Sequence, residues 1–269
     1  MADRLSPDPH HPGAWVVRIG DTDQSWIDPD DPTHLEFDYV QRVADVVDLV
    51  APAGERIRAV HVGGGGLTLP RYVAATRPTS AQVVLEPDEE LTAEVRRTAP
   101  LPPRSGIKVR AQDGRSGLAA MPGNYCDLLI VDAFAGARVP GELATVEAFA
   151  EYRRVLAPRG TLTLNVTDSA PLAWTRRLLA GARRHFPVIG LMAESATLKG
   201  RRFGNIVVVA TADETLDWDR LSRRAAGAAF PFRVSLGPAV DRLVAGAAPY
   251  EDSGAEASPA PPGGATSFR

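Results

Sequence analysis

The sequence predicts an α/β protein in which helices cover both faces of a seven-stranded sheet, preceded by a small N-terminal β-hairpin region. Three observations predict it. From Arg56 onward, short Val/Ile/Leu-rich runs alternate with helical segments. The first of these runs opens into four consecutive glycines. The last two runs have only a turn between them, where every earlier pair is separated by a helical segment.

Residues 1–13 are polar and Pro-rich, without periodicity, and are expected to be flexible. Residues 14–54 form an N-terminal region. In it Ala14–Gly20 and Gln24–Ile27 read as a hairpin around Gly20-Asp21-Thr22-Asp23, and Asp28-Pro29-Asp30-Asp31-Pro32 reads as a turn cluster. A helix over Leu35–Val50 follows, with Leu35, Tyr39, Val43, Val46, Val47 and Val50 on one face, and Pro52-Ala53-Gly54 ends it. Residues 55–245 carry the alternating pattern. Its strands are expected at Ile57–Val62, Gln82–Glu86, Ile107–Arg110, Leu128–Asp132, Thr161–Val166, Val188–Met192 and Asn205–Thr211. Helices are expected at Leu69–Thr76, Glu89–Arg97, Gly114–Ala120, Val146–Leu156 and Leu172–His185. Leu216–Ala226 and Val240–Val244 are expected to pack against the sheet. Alternation of this kind implies parallel strands, and a closing hairpin makes the final strand antiparallel to its neighbour. Six βα-type strands closed by such a hairpin are the inventory of the Rossmann-like, S-adenosylmethionine-dependent methyltransferase-type fold. Residues 246–269, rich in Pro, Gly, Ala and Ser, are expected to form a disordered tail.

Composition excludes several functions. Apolar residues make up 44% of the 269 residues, and 30 basic against 33 acidic side chains leave a net charge of −3. No bulk charge draws the chain to nucleic acid or to an anionic membrane. No apolar run approaches the roughly 20 residues of a membrane-spanning helix, and the N-terminus lacks an apolar secretion segment. A cytoplasmic protein is expected. The single cysteine, Cys126, rules out an internal disulfide and a multi-cysteine metal site, and no two histidines have metal-like spacing, so no metal is expected. Cys126 and His61 read as core residues.

The candidate ligand site lies at the strand ends. Gly63-Gly64-Gly65-Gly66, between strand and helix, leave backbone amides free and let a ligand approach closely. Neither the dinucleotide G-x-G-x-x-G pattern nor the P-loop fits this run. Glu86 closes the second strand, where an acid suits the two hydroxyls of a ribose; Asp88, followed by two glutamates, is the better cap for the next helix. Asp113-Gly114 follows the third strand, with Asp113 either accepting from an adenine amino group or capping a helix. Asp132 ends the fourth, at the carboxyl edge where open α/β sheets bind ligands. Four such features on consecutive strands point to a nucleoside.

These residues resemble the spermidine synthase (polyamine aminopropyltransferase) family over Ala14–Thr211. Gln24 lies where the family has a Gln, and Glu36-Phe37-Asp38-Tyr39 looks like its Tyr motif. The four glycines are similar to its G-G-G-D loop, and Glu86 and Asp113-Gly114 match its ribose- and adenine-binding acids. Asp132-Ala133-Phe134-Ala135 falls on its catalytic D-S/A-x-D segment. The resemblance implies aminopropyl transfer from decarboxylated S-adenosylmethionine to a small amine, with Asp132 and Tyr39 handling the proton. Gln24, Gly63, Gly64, Gly65, Gly66, Glu86, Asp113, Gly114 and Asp132 would hold the co-substrate. It also implies a homodimer formed through the N-terminal region. Two acids depart from the pattern: Gly66 and Ala135 stand where the family has Asp. Gly66, with cationic Lys199, Arg201 and Arg202 near the sixth strand, keeps open a methyltransferase that uses intact S-adenosylmethionine on a small, even anionic, substrate. A non-catalytic nucleoside-binding homologue is the third reading.

Overall fold

The computed structural model describes residues 4–19 and 22–262. Met1–Asp3, Gly20-Asp21 and Gly263–Arg269 lie outside the described residues. A three-stranded antiparallel sheet opens the chain: β1 (Leu5–Pro7), β2 (Trp15–Ile19) and β3 (Thr22–Ile27). The strand β1 lies in the segment expected to be flexible. It is fixed because the Arg4 and Leu5 amides donate to Glu94 at 2.8 and 3.0 Å and the Arg4 guanidinium pairs with Asp88 at 2.5 Å.

Helix α1 (Asp38–Val50) begins three residues later than the periodicity predicts. Phe37 at its N-cap is extended, so Leu35–Phe37 form an approach segment. The alternating region then runs β4 (Arg58–Val62), α2 (Thr68–Thr76), β5 (Ala81–Leu85), α3 (Glu89–Thr98), β6 (Ile107–Arg110), α4 (Gly114–Ala119), β7 (Cys126–Val131), α5 (Val146–Val155), β8 (Leu156–Asp168), α6 (Ala173–Ala182), β9 (Val188–Glu194), α7 (Ser195–Leu198) and β10 (Gly204–Thr211). The chain continues through α8 (Trp218–Ala226), β11 (Phe232–Leu236) and α9 (Pro238–Val244).

The main sheet has the order β11-β9-β10-β8-β7-β4-β5-β6. From β6 to β8 the neighbours are parallel, and β10 is antiparallel to both β8 and β9, as its short connection requires. The order reverses at β4, so β4 and its neighbours open a crevice at their carboxyl ends. The sheet carries one strand more than the seven expected. The extra strand, β11, pairs Phe232–Leu236 with β9. It was hidden because Phe-Arg-Val-Ser-Leu is short and sits on an edge, where only one face needs apolar residues.

Alternation along the strands divides the core. Leu129 and Val131 of β7 and Val208 of β10 join Phe149, Leu178 and Leu179 on one face. Leu128, Ile130, Val207 and Val209 join Val43, Val46, Val47 and Leu221 on the other. Cys126 is buried in the first of these layers, and burial pushes its thiol up to about 12.

Residues 246–262, expected to be disordered, lie against the body of the protein. Tyr250 is buried and bridges to Thr145, and Arg177 stacks on its ring at 3.7 Å. Ser258 is fully buried, exchanging hydrogen bonds with Val139 at 2.9 and 3.0 Å. The Trp174 indole donates to the Glu256 carbonyl at 2.8 Å. Composition alone misleads here: proline-rich chain has little backbone entropy to lose, and its polar groups find partners along the loop after β7.

Candidate functional site

Two adjoining cavities open at the carboxyl edge of the sheet, about 350 and 230 Å³ in volume. Gln24, Glu36, Phe37, Tyr39 and Phe134 line both.

The larger cavity is walled by the glycine loop. Gly63 has φ +93°, and a Cβ there would fall 2.2 Å from the Asp132 carbonyl oxygen, so only glycine fits between β4 and β7. The Glu86 carboxylate accepts from the amides of Gly64 at 2.8 Å and Gly65 at 3.4 Å, while its other oxygen accepts from Asp88 at 2.9 Å. Asp88 caps α3 through the Leu91 amide at 2.8 Å. Asp113 caps α4, accepting from the Ser116 amide at 2.9 Å and from the Ser116 hydroxyl, and these bonds hold its carboxyl below the usual range. Both Asp113 and Gly114 face the cavity. Of the predicted loop, Gly66 does not. Its amide donates to the Ser25 hydroxyl at 3.0 Å, and its Cα faces Ile27 of β3. His61 of β4 is part of this wall but buried, with Nε2 on the Gln82 amide oxygen at 2.9 Å; burial pushes its pKa down to about 4, so the ring is neutral at pH 7.

Where the cavities adjoin, Tyr39 of α1 lines both, Asp132 of β7 lines the larger and Asn165 of β8 the smaller. The Tyr39 hydroxyl donates to Asp132 Oδ2 at 3.4 Å, and the Asn165 amide donates to Oδ1 at 3.0 Å. Burial pushes the Asp132 carboxyl up to about 6 against the opposing pull of these two donors. Burial, reinforced by the Asp132 charge, raises the Tyr39 phenol well above its ordinary value, so the phenol keeps its proton.

Sequence reasoning missed Asn165. Its signal lies in β8, where Thr161, Thr163, Asn165 and Thr167 alternate with Leu162, Leu164 and Val166. One face of this strand is apolar and packs on helices; the other is polar although buried. Asn165 Oδ1 is itself buried without a hydrogen-bond partner.

The smaller cavity is acidic. Asp23, Glu36, Asp38 and Glu194 line it, and Arg202 is the only basic residue among its described walls. Arg202 pairs with Glu194 at 3.1 Å. Burial raises the Asp38 carboxyl above its ordinary value. The expectation that a cationic turn faces the ligand therefore holds for Arg202 alone, and its charge is taken up by Glu194. Lys199 and Arg201 line neither cavity.

No family model matches the chain. A polyamine aminopropyltransferase of Vibrio vulnificus is 29% identical over 147 residues, covering 54% of this chain and 48% of that protein, so this match spans about half the relative's length. One of Chromobacterium violaceum is 25% identical over 228 residues, covering 83% of this chain and 82% of its own. The crystal structure of a "probable spermidine synthase" from Corynebacterium glutamicum superposes with a TM-score of 0.85 at 29% identity, covering 92% of each chain. No helix among the described residues is long and apolar enough to cross a membrane. Sequence relatives, strand order and the full-length structural match all support a transferase on the methyltransferase-type fold that is similar to the spermidine synthase (polyamine aminopropyltransferase) family, as a divergent member.

Proposed function

We propose that this protein transfers an aminopropyl group from decarboxylated S-adenosylmethionine to a small amine. The observation that carries the reading is a buried carboxylate, Asp132, in the wall of a nucleoside-sized cavity and hydrogen-bonded to Tyr39 and Asn165, which line the adjoining acidic one. Gln24, the loop Gly63–Gly65, Glu86, Asp113 and Gly114 hold the adenosyl moiety, with Glu86 on the ribose hydroxyls. Gly66, turned toward Ile27, takes no direct part.

The chemistry follows from the charges. The acceptor enters the smaller cavity as an ammonium ion, attracted by Glu36, Asp38 and Asp132. A carboxylate with a pKa of about 6 is ionised at pH 7, yet more basic than an ordinary aspartate, so it takes the ammonium proton more readily. The freed nitrogen lone pair attacks the methylene carbon bonded to the sulfonium. The C–N bond forms as the C–S bond breaks, and its electron pair returns to sulfur, leaving neutral methylthioadenosine. The amine's remaining N–H groups meet Asn165 Oδ1, a buried acceptor otherwise without a partner. The walls of the two adjoining cavities supply alignment, a large part of catalysis when the leaving group is already good.

One observation favours a second reading. Gly66 and Ala135 leave the loop and the catalytic segment without the two acids that would grip an aminopropyl ammonium, and Gly66 sets no charge against the carboxylate of intact S-adenosylmethionine. Calorimetric titration of the full chain with S-adenosylmethionine, its decarboxylated form, S-adenosylhomocysteine and methylthioadenosine separates the two. Preference for the decarboxylated form and methylthioadenosine, with turnover of an added diamine, is the expected result. Preference for the two carboxylate-bearing ligands transfers the protein to the methyltransferase reading, and binding of none leaves a fold without this chemistry.

A further inference from the structure

Outside the cleft's chemistry, the fold gathers three metal-ligating side chains that the sequence keeps apart. His11 lies in the turn after β1, and His34 and Glu36 lie in the approach to α1. One donor atom from each falls within 4.8 Å of the others. His34 Nε2 stands 3.5 Å from Glu36 Oε2, and the two imidazoles meet edge to face with centroids 5.4 Å apart. We propose that His11, His34 and Glu36 form a binding site for a borderline divalent transition-metal ion of the Zn²⁺ class at the mouth of the cleft.

Four features support the assignment. The donor set, two imidazoles and one carboxylate, suits zinc and its neighbours rather than magnesium or calcium, which take oxygen ligands. The His11 ring is backed by a carboxylate: Nδ1 is buried without a hydrogen-bond partner, and Asp8 Oδ2 lies 3.6 Å from it. A carboxylate on one ring nitrogen fixes the tautomer and leaves the other nitrogen as the metal donor. Asp8 is itself held in place, accepting from the Trp26 indole at 2.6 Å and from the His10 and His11 amides at 2.7 and 3.2 Å. Finally, the donors are reachable and adjustable. The side chains of His11, His34 and Glu36 are 44%, 39% and 43% exposed, so about 1 Å of side-chain movement brings their donors to the spacing that roughly 2.0–2.1 Å metal–ligand bonds demand. Packing against Trp26, whose ring centroid lies 4.7 Å from that of His34 and 5.6 Å from that of His11, keeps the two imidazoles together before an ion arrives.

Glu36 also lines both cavities, so an ion here ties the N-terminal segment to the cleft wall and takes one negative charge from the amine's path. With Zn²⁺ bound, the KM for an amine acceptor rises while nucleoside affinity is unchanged. This second effect rests on the proposed transfer reaction; the metal site does not.

The test is titration of the full chain, without a histidine tag, with ZnCl₂ and separately with MgCl₂. Calorimetry and the thermal midpoint are read, and the visible absorption of Co²⁺ serves as an independent report on the ligands. One Zn²⁺ per chain at a Kd of about 1 µM is expected, with a midpoint that rises with the logarithm of Zn²⁺ concentration and no matching response to Mg²⁺. His34→Ala should weaken Zn²⁺ binding at least about 100-fold, and Asp8→Asn, which leaves all three ligands in place, about 10-fold. Unchanged midpoints of both metal-free variants establish that they fold. The absence of a saturable one-to-one Zn²⁺ complex, or one that survives His34→Ala unweakened, overturns the site. If Zn²⁺ binds as described but amine KM does not move, the metal site stands and its effect on the cleft is refuted.

Discussion

The two halves of the cleft are built by opposite means. At the ends of β4, β5 and β6 the polar groups satisfy one another in advance: Glu86 gathers the amides of Gly64, Gly65 and Asp88, and Asp113 caps α4. On the acceptor side, polar groups are buried and left short. Asp132 is pushed up to about 6, and Asn165 Oδ1 has no partner. The first half can recognise a ligand with little rearrangement, through a scaffold already hydrogen-bonded. The second holds a charge in a poor environment that an ammonium ion relieves, which is how burial is converted into basicity.

Asp132→Asn tests this contrast with the largest effect. Turnover should fall about 1,000-fold, within the range for loss of a general base, while nucleoside affinity stays within about twofold. Wild-type turnover should decline as pH drops through about 6, where Asp132 becomes protonated. A variant that keeps turnover within tenfold removes Asp132 from the mechanism. Stability should move in the opposite sense. Because the folded carboxyl titrates near 6 and an ordinary aspartate near 3.8, the native state retains a proton that the unfolded chain has released across that window. This contribution favours folding below pH 3.8 and is lost as pH rises to 6, to the extent of about 3 kcal/mol. Denaturant titrations should therefore find the pH dependence over that window flatter in Asp132→Asn than in the wild type.

Glu86→Ala probes the other half. Loss of a charged acceptor for ribose should weaken nucleoside binding by about 2 kcal/mol, or about 30-fold, with turnover at saturation nearly retained. Normal affinity would place the ribose elsewhere. A loss confined to turnover would erase the distinction between the halves.

Asn165→Ala gives a smaller effect with a specific signature. The amide donates to the ionised form of Asp132, so its removal raises the carboxyl further and moves the acid limb of the pH–rate profile upward, by about one unit for a bond to a charged group. Tyr39→Phe should act in the same direction but more weakly, since its bond is 3.4 Å long. A profile that only falls in height, with no movement along the pH axis, would assign Asn165 to packing alone.

This contrast also explains what could be read from the sequence. Gly63, Glu86, Asp113 and Asp132 each close a strand in consecutive order, so recognising the alternation was enough to locate them. Tyr39 followed from the family motif. Asn165 and the Arg202–Glu194 pair depend on β8, β9 and β10 lying side by side, a neighbourhood set by long-range pairing. His11 and His34 meet through the packing of chain segments 23 residues apart, which no local spacing discloses. The strand β11 and the C-terminal segment 246–262 escaped for a related reason. Each is stabilised by what it lies against, with a weak pattern of its own.

Gly66→Asp, the substitution that restores the family's loop acid, probes the boundary between the halves. If the missing carboxylate were simply an open vacancy, the variant would fold normally and bind the decarboxylated co-substrate more tightly. The geometry argues otherwise. A Cβ at position 66 would lie 2.6 Å from Ile27 Cγ1, 2.7 Å from its Cδ1 and 3.1 Å from Ser25 Cβ. Ile27 is 1% exposed and packed with Val17, Leu67, Val84 and Leu91, so it has nowhere to retreat. The change should cost about 1–3 kcal/mol in overpacking, seen as a lower denaturation midpoint, with no gain in affinity. Ile27→Ala in the Gly66→Asp background should recover part of that loss by making room for the carboxylate. Recovery of stability together with tighter binding of the decarboxylated ligand would mean that β3 alone keeps the acid out of this loop. Tighter binding by Gly66→Asp without the second change would show the loop to be more yielding than its packing implies, and the nucleoside half less rigid than the acceptor half it adjoins.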